Sequence, residues 1–433
     1  MPVNLAAPNP AEIYPIAGIR LGFAKAQIKK WDRNDVMLLQ LDAGSTVAGV
    51  FTQNAFAAAP VQICRKHLDA RSTEYAPTRA LIINAGNANC GTGQAGYDAA
   101  AATCEAVAAA LNISPAAVLP FSTGVILEPL PAHKIIAALP YAIEVCEGQT
   151  ASEQGGASGE TWVEAAKAIM TTDTIHKCVS RRVTVAGQKI TVTGIAKGVG
   201  MLQPNMATML AYIATDAAVP QPVLQTLCKT VADASFNRVT VDGDTSTNDS
   251  FILMATGKNA GESSRNSNNT SVDCSDSAGA AYTALQAALL DVAQTLAQAI
   301  ARDGEGATKF ITVNVDGAEH ADEAHTVAKF IAHSPLVKTA FFASDPNLGR
   351  LIMAIGNAQP NLNPALVNVW LGDVLVVESG GRAASYTEAL GAAVMALAEI
   401  TVRVALGRGV AKTTVWTCDY SYDYVKINAE YRT

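Results

Sequence analysis

The segment KGVGMLQPNMATMLAYIATDA, Lys197 to Ala217, decides how the rest of the chain is read. Its second half holds an almost wholly apolar run, Met209-Leu210-Ala211-Tyr212-Ile213-Ala214, and Ala211 to Thr215 reads as a buried strand. Thr208 stands at the mouth of that run, directly after Ala207. Upstream, Lys197 is followed by Gly198-Val199-Gly200, so the backbone is free to bend tightly and carry a cation to a specific point. Pro204 sets a turn just before the Ala207–Thr208 junction. The plain reading is a threonine opening a core strand, where the residue is at home. The chemical reading is sharper. A cut between Ala207 and Thr208 leaves a threonine whose α-amino group lies beside its own hydroxyl, a nucleophile and its base in one residue.

Around this centre, short β-rich runs alternate with alanine-rich helical stretches. Arg79 to Asn84 reads as a strand and Tyr97 to Leu111 as a helix; Arg182 to Val185 and Lys189 to Ile195 read as a hairpin turning at 186–188. Gln221 to Ala234 reads as a helix behind Pro220, and Ser250 to Thr256 as a strand. The polar stretch Lys258 to Ser277 reads as an exposed loop, and Ala278 to Arg302 as the longest helix. A strand at Thr308 to Val315 and helices at Glu319 to Ile331 and Pro346 to Ala358 follow. Strands at Val367 to Val377, Ile400 to Ala405 and Lys412 to Cys418 complete the pattern. It is not a strict βαβ repeat. It points to a mixed α/β protein whose sheets pack on one another beneath covering helices.

The 433 residues suffice for one large or two medium domains with a real core. A formal charge of −7 argues against a nucleic-acid footprint, which needs a basic face. No basic and apolar leader opens the chain and no run of about 18 apolar residues occurs, so neither secretion nor a membrane span is expected. The eight cysteines, scattered without a CxxC, are expected to be reduced and mostly buried in a cytoplasmic protein.

Several other motifs admit chemistry. Gly91-Thr92-Gly93-Gln94-Ala95-Gly96 matches GxGxxG between a strand and a helix, but it starts about seven residues past the strand and lacks the later acidic ribose ligand, so a glycine-rich turn is the better reading. Asp242 to Asp249 clusters carboxylates without calcium-loop spacing, and reads as a polar turn leading to Ser250 rather than a metal site. His320 and His325, five apart, do not share a helix face as metal ligands would. No GxSxG elbow is present, which disfavours a serine α/β-hydrolase. Phe121 to Ile126 contains Thr123-Gly124, either a strand exit or a hydroxyl and an adjacent N–H, the two donors an oxyanion needs.

The central segment resembles the signature of the ornithine acetyltransferase family of arginine biosynthesis, bifunctional in many members. The resemblance runs through NAGNAN (Asn84 to Asn89), STG (Ser122 to Gly124), AIMTTDT (Ala168 to Thr174), GDTSTND (Gly243 to Asp249), GEGATK (Gly304 to Lys309), DPNLGR (Asp345 to Arg350) and INAEYRT (Ile427 to Thr433). It implies self-cleavage between Ala207 and Thr208 into fragments 1–207 and 208–433, which stay together and pair into a heterotetramer. The fold it implies is the αββα sandwich shared with self-processing aminopeptidases. The activity it implies is acetyl transfer from N-acetylornithine to glutamate by way of acetyl-Thr208, without a cofactor or metal, some members also accepting acetyl-CoA. Thr123 and Gly124 match the family's oxyanion pair. Thr171, Lys197, Thr208, Glu305, Asn428 and Thr433 match its substrate contacts, Thr171 being chosen over its neighbour Thr172.

Chain-terminal α-amino groups titrate near neutrality, roughly 7.7–8.0, so the α-amino group of a freed Thr208 suits the role of base, and a neighbouring Lys197 cation would lower its pKa further. Two other readings stay open. One is a self-processing aminopeptidase or amidase that uses water as the acceptor. The other is a non-catalytic dinucleotide-binding protein built on Gly91 to Gly96.

Overall fold

A computed structural model describes residues 2–149, 156–185, 188–201, 209–259, 274–276, 279–358 and 361–430. From the N-terminus, strands β1 (Ile19–Ala24), β2 (Val36–Leu41) and β3 (Thr46–Phe51) lead to helix α1 (Ala59–Leu68). Next come β4 (Ala80–Asn87), α2 (Gly93–Leu111), β5 (Val118–Val125), α3 (Ala132–Glu147) and α4 (Gly159–Ala168). The centre of the chain forms β6 (Lys177–Val185), β7 (Gln188–Lys197), β8 (Leu210–Thr215), α5 (Gln221–Ala234), β9 (Ser250–Ala255) and α6 (Ala280–Arg302). Then follow β10 (Phe310–Ala318), α7 (Ala321–His333), α8 (Pro335–Phe342) and α9 (Leu348–Ala358). The last elements are β11 (Asn368–Leu371), β12 (Val374–Glu378), β13 (Gly381–Arg382), α10 (Glu388–Met395), β14 (Glu399–Ala405), β15 (Ala411–Cys418) and α11 (Tyr422–Ala429).

Two sheets make the sandwich. One has the order β1-β2-β4-β5 and the other β3-β9-β8-β7-β6. Strands buried on both faces carry near-continuous apolar runs, and here each run divides cleanly by parity. Leu21, Met37, Leu39, Leu81, Ile83 and Phe121 of the first sheet meet Ile195, Tyr212, Ile252 and Met254 of the second in one apolar layer. The opposite face of the first sheet, Val36, Leu38 and Ile82, packs on Cys104, Val107 and Leu139 of α2 and α3. The opposite face of the second, Val192, Ile213, Phe251 and Leu253, packs on α5 and α6. The layers therefore run helix, sheet, sheet, helix: the αββα sandwich that the resemblance implied.

The expected strand through Ala211–Thr215 is β8, and all six of its residues are buried. It lies mid-sheet, antiparallel to β7 and parallel to β9. The hairpin is present as β6–β7, its turn at 186–187 lying outside the described residues. All eight cysteines are buried, and none is in a disulfide. By length and composition α6 could cross a membrane. Its apolar stripe, Leu285, Leu289, Val292, Leu296 and Ile300, follows helical spacing and is instead fully buried in the core against the second sheet.

Two expectations are corrected. The exposed loop read over Lys258–Ser277 falls mostly outside the described residues, but Cys274 at its far end is buried and its N–H bonds the Ala218 carbonyl, so that end packs into the core. Val367–Val377 is two strands, broken at Gly372, whose positive φ of 55° turns β11 back antiparallel onto β12. The C-terminal strands form a third sheet, order β13-β12-β11-β14-β10-β15, with its own core against α7, α8 and α9. Helix α8 had no expected counterpart.

Leu296 lies between α6 and the second sheet with no exposed surface. Leu296→Ala should cost about 2–5 kcal/mol, seen as a lower urea midpoint at an unchanged slope.

Candidate active site

Strand β5 carries Ser122, Thr123 and Gly124 to the open end of the sandwich. It pairs in parallel with β4, so STG lies beside NAGNAN. Gly124 holds a φ of 135°, and a Cβ there would overlap the backbone of Gly86. A side chain is therefore barred twice, by conformation and by space. The Ser122 hydroxyl donates to Asn84 Oδ1 (2.6 Å), and Asn84 Nδ2 donates to the Asn87 carbonyl (2.9 Å). Asn248, from GDTSTND, donates to the carbonyls of Ser122 (2.8 Å) and Ala88 (2.6 Å). Three motifs distant in sequence thus clamp one short piece of backbone.

Lys197 ends β7 on the facing sheet. Its buried ammonium donates to Thr123 Oγ1 at 2.9 Å, bridging the two sheets. An ammonium has no lone pair, so the threonine oxygen must accept here. Its own proton is then free to point elsewhere. Burial pushes the Lys197 pKa below its ordinary value; Lys177 adds to the fall, while Asp173, Asp249 and Glu305 oppose it.

Behind Lys197 lies a buried ionic cluster. Lys177 Nζ is 2.7 Å from both Asp173 Oδ1 and Asp303 Oδ2, all three side chains being almost fully enclosed. Asp173 also accepts from the N–H groups of Gly198 (2.9 Å) and Thr171 (3.1 Å). Burial by itself would raise the pKa of Asp173. The ammonium groups of Lys177 and Lys197 and these hydrogen bonds outweigh it, holding Asp173 well below the usual carboxylate range.

Glu305 follows α6, and its N–H bonds the Val199 carbonyl at 2.8 Å. Its carboxylate accepts from the Thr172 hydroxyl (2.9 Å) and from Asn428 Nδ2 of α11 (2.8 Å). Gly200 faces that carboxylate so closely that a Cβ would overlap it. Thr123, Gly124, Thr171, Thr172, Lys197, Gly200, Met209, Asn248, Asp249, Glu305 and Asn428 line one cavity of about 350 Å³. Its dimensions and mixed lining suit a small polar metabolite.

Of the expected site residues, Thr123, Gly124, Thr171, Lys197, Glu305 and Asn428 meet at this cavity. Ala207, Thr208 and Thr433 lie outside the described residues. Met209, joined by a peptide bond to Thr208, is buried in the cavity wall. At Thr171–Thr172 the hydroxyl that reaches Glu305 is that of Thr172, while Thr171 offers its N–H to Asp173. Asp173, Asn248 and Asp249 were not singled out as site residues in advance, whereas Thr172 was weighed against Thr171. They stand in AIMTTDT and GDTSTND, and for Asn248 and Asp249 the available signal was an amide and a carboxylate set directly before an apolar strand.

The glycine-rich stretch opens α2 as a turn, with buried Gly96 fitted between Thr92 and Asn89. The Asp242–Asp249 stretch is the expected turn into β9, but its last residues wall the cavity. Among the described residues no group of three or more His, Cys, Asp or Glu side chains could hold a metal ion.

The fold and the cavity define a layered α/β protein with a pocket in which a cation, Lys197, engages the Thr123 hydroxyl. A family model, the ArgJ family, matches residues 20–433, and the chain belongs to that family, the acetyltransferases of arginine biosynthesis. Among solved structures it is similar to the arginine biosynthesis bifunctional protein ArgJ of Bacillus halodurans, with 35% identity over 51% of this chain and 98% of that one, TM-score 0.46. It is also similar to the ornithine acetyltransferase of Mycobacterium tuberculosis, solved with ornithine: 33% identity over 45% of this chain and 94% of that one, TM-score 0.35. The L-aminopeptidase D-Ala-esterase/amidase of Ochrobactrum anthropi matches at 11% identity over 70% and 89%, TM-score 0.36.

Gly200→Ala should cost about 1–3 kcal/mol by crowding the Glu305 carboxylate. Combining it with Glu305→Ala should recover at least about 0.5 kcal/mol relative to the sum of the single changes. Strict additivity in urea unfolding would show that the two side chains do not meet.

Proposed function

We propose that the protein transfers an acetyl group from N-acetylornithine to glutamate, by way of an ester on Thr208 freed by self-cleavage after Ala207. The observation that carries this reading is the convergence of Thr123, Gly124, Lys197 and Glu305 on one cavity, with Met209 in its wall. Fragments 1–207 and 208–433 remain one folded unit and associate into a heterotetramer in the cytoplasm. The first contributes Thr123, Thr171 and Lys197, the second Thr208, Glu305, Asn428 and Thr433.

Each residue has a physical task. The Thr208 hydroxyl attacks the acetyl carbonyl while the α-amino group takes its proton. The tetrahedral oxyanion is held by the Thr123 hydroxyl, whose oxygen is already engaged by Lys197 and whose proton is therefore available, and by the N–H at Gly124. Glu305, held by Thr172 and Asn428, offers a carboxylate to the side-chain ammonium of ornithine. Ornithine departs, glutamate enters and accepts the acetyl group: two half-reactions sharing one cavity. Neither a metal nor a resident cofactor takes part, and acetyl-CoA enters only as a second donor.

Purified protein given N-acetylornithine and glutamate should form ornithine and N-acetylglutamate. Release of ornithine with no N-acetylglutamate would replace transfer by hydrolysis. Thr208→Ala should leave one full-length chain and abolish transfer; two fragments from that variant would misplace the junction. Thr123→Ala should lower kcat by about a hundredfold or more, and an unchanged kcat would remove it from the oxyanion site.

A further inference from the structure

Asp249 stands at the start of β9 with 2% of its surface exposed, yet it lines the cavity. Its backbone is fixed: the Asp249 carbonyl accepts from the Thr52 N–H at 2.9 Å, and the next residue, Ser250, donates its N–H to the Met209 carbonyl at 2.9 Å. The carboxyl therefore sits one strand over from the residue that follows Thr208. Its Oδ2 has no hydrogen-bond partner among the described residues. The charged group acting on it is Lys197, at the end of β7 beyond β8, and Ser246 in its own turn donates a hydrogen bond to it. On the β3 side the uncharged Thr52 bonds its backbone carbonyl, and the Arg65 guanidinium of α1 is bonded to the Thr52 carbonyl. Burial outweighs Lys197 and Ser246 and favours the neutral acid. An enclosed carboxyl with an oxygen that no described residue engages is costly to maintain for structure alone.

We propose that Asp249 is the acid–base group that protonates the departing amine and later deprotonates the arriving one, an assignment that rests on the acetyl-transfer reading above. The proton count calls for such a group. Breaking the amide C–N bond releases an amine that takes one proton from the Thr208 hydroxyl, relayed through the α-amino group. Ornithine leaves as an ammonium, so a second proton must reach the same nitrogen. The Asp249 O–H bond breaks to supply it, and the resulting carboxylate faces the Lys197 ammonium. Glutamate arrives with its own α-ammonium, which cannot attack until it loses a proton. Asp249 takes that proton back, the neutral amine attacks the acetyl ester, and as the Thr208 Oγ–C bond breaks the amine's second proton passes through the α-amino group to the Thr208 oxygen, which returns the enzyme to its starting state. No further reactant is needed.

Asp249→Asn keeps the shape and the neutral state of the buried acid but cannot release a proton. Chains of this variant confirmed as cleaved by intact mass should keep their KM for N-acetylornithine within about threefold, while kcat falls roughly a hundredfold or more. In the wild type, a single-turnover burst of ornithine should weaken as pH rises through the pKa of the acid; in the variant that alkaline limb should vanish. A kcat within threefold of the wild type, or a loss confined to KM, would overturn the assignment. Should the variant fail to fold, the wild-type burst alone decides, because a burst with no alkaline limb leaves no role for a protonated donor. A wild type that forms no ornithine would overturn the acetyl-transfer reading itself; a wild type that transfers beside an equally fast variant removes only Asp249.

Discussion

The Asp173 carboxylate is the constraint on which the site depends. It holds Lys177 by one oxygen and receives the N–H groups of Gly198 and Thr171, so it fixes both the end of β7 and the loop that carries Thr171 and Thr172. Lys197 precedes Gly198, and Thr172 reaches Glu305. One buried anion therefore sets the cation that engages Thr123 and the hydroxyl that orients Glu305. Its enclosure requires the compensation it receives: a buried carboxylate stripped of its partner ammonium typically costs about 3–5 kcal/mol. Asp303 completes the charge balance around Lys177 and also accepts from Thr174, linking the cluster to the end of α6.

Much of the sandwich was legible in the chain. The fully apolar run of β8 and the helical spacing of α5 and α6 identify elements whose environment is uniform along their length. The third sheet was not legible, because a strand's pattern shows that a face is buried and not which strand lies next to it. β10 pairs with β14 and β15, whose residues are about 90 to 110 positions later. The break at Gly372 was hidden inside an apolar stretch in which one glycine is a weak signal.

The site divides in the same way. Thr123, Lys197, Glu305 and Asn428 could be named because they stand in ordered motifs, and the structure brings them to one cavity. The bonds that join those residues to one another and to Thr172 could not. The Thr172–Glu305 bond joins positions 133 apart and the Lys197–Thr123 bond positions 74 apart. Asp249 looked like one acid among several in a polar turn, and only the packing of β9 beside β8 shows that it is enclosed while Asp242 and Asp244 are not.

The position of β8 has a further consequence for the proposed cut before Thr208. The strand is laced on one side to β7 and on the other to β9, so a break just upstream leaves the new end anchored by two ladders. The native assembly loses a covalent link and almost no contacts. The unfolded state changes far more. A precursor searches for its fold as one molecule, whereas the two fragments, once separated, must first meet by diffusion, which makes recovery depend on concentration. Maturation of this kind turns a reversible fold into one that persists chiefly because it opens slowly.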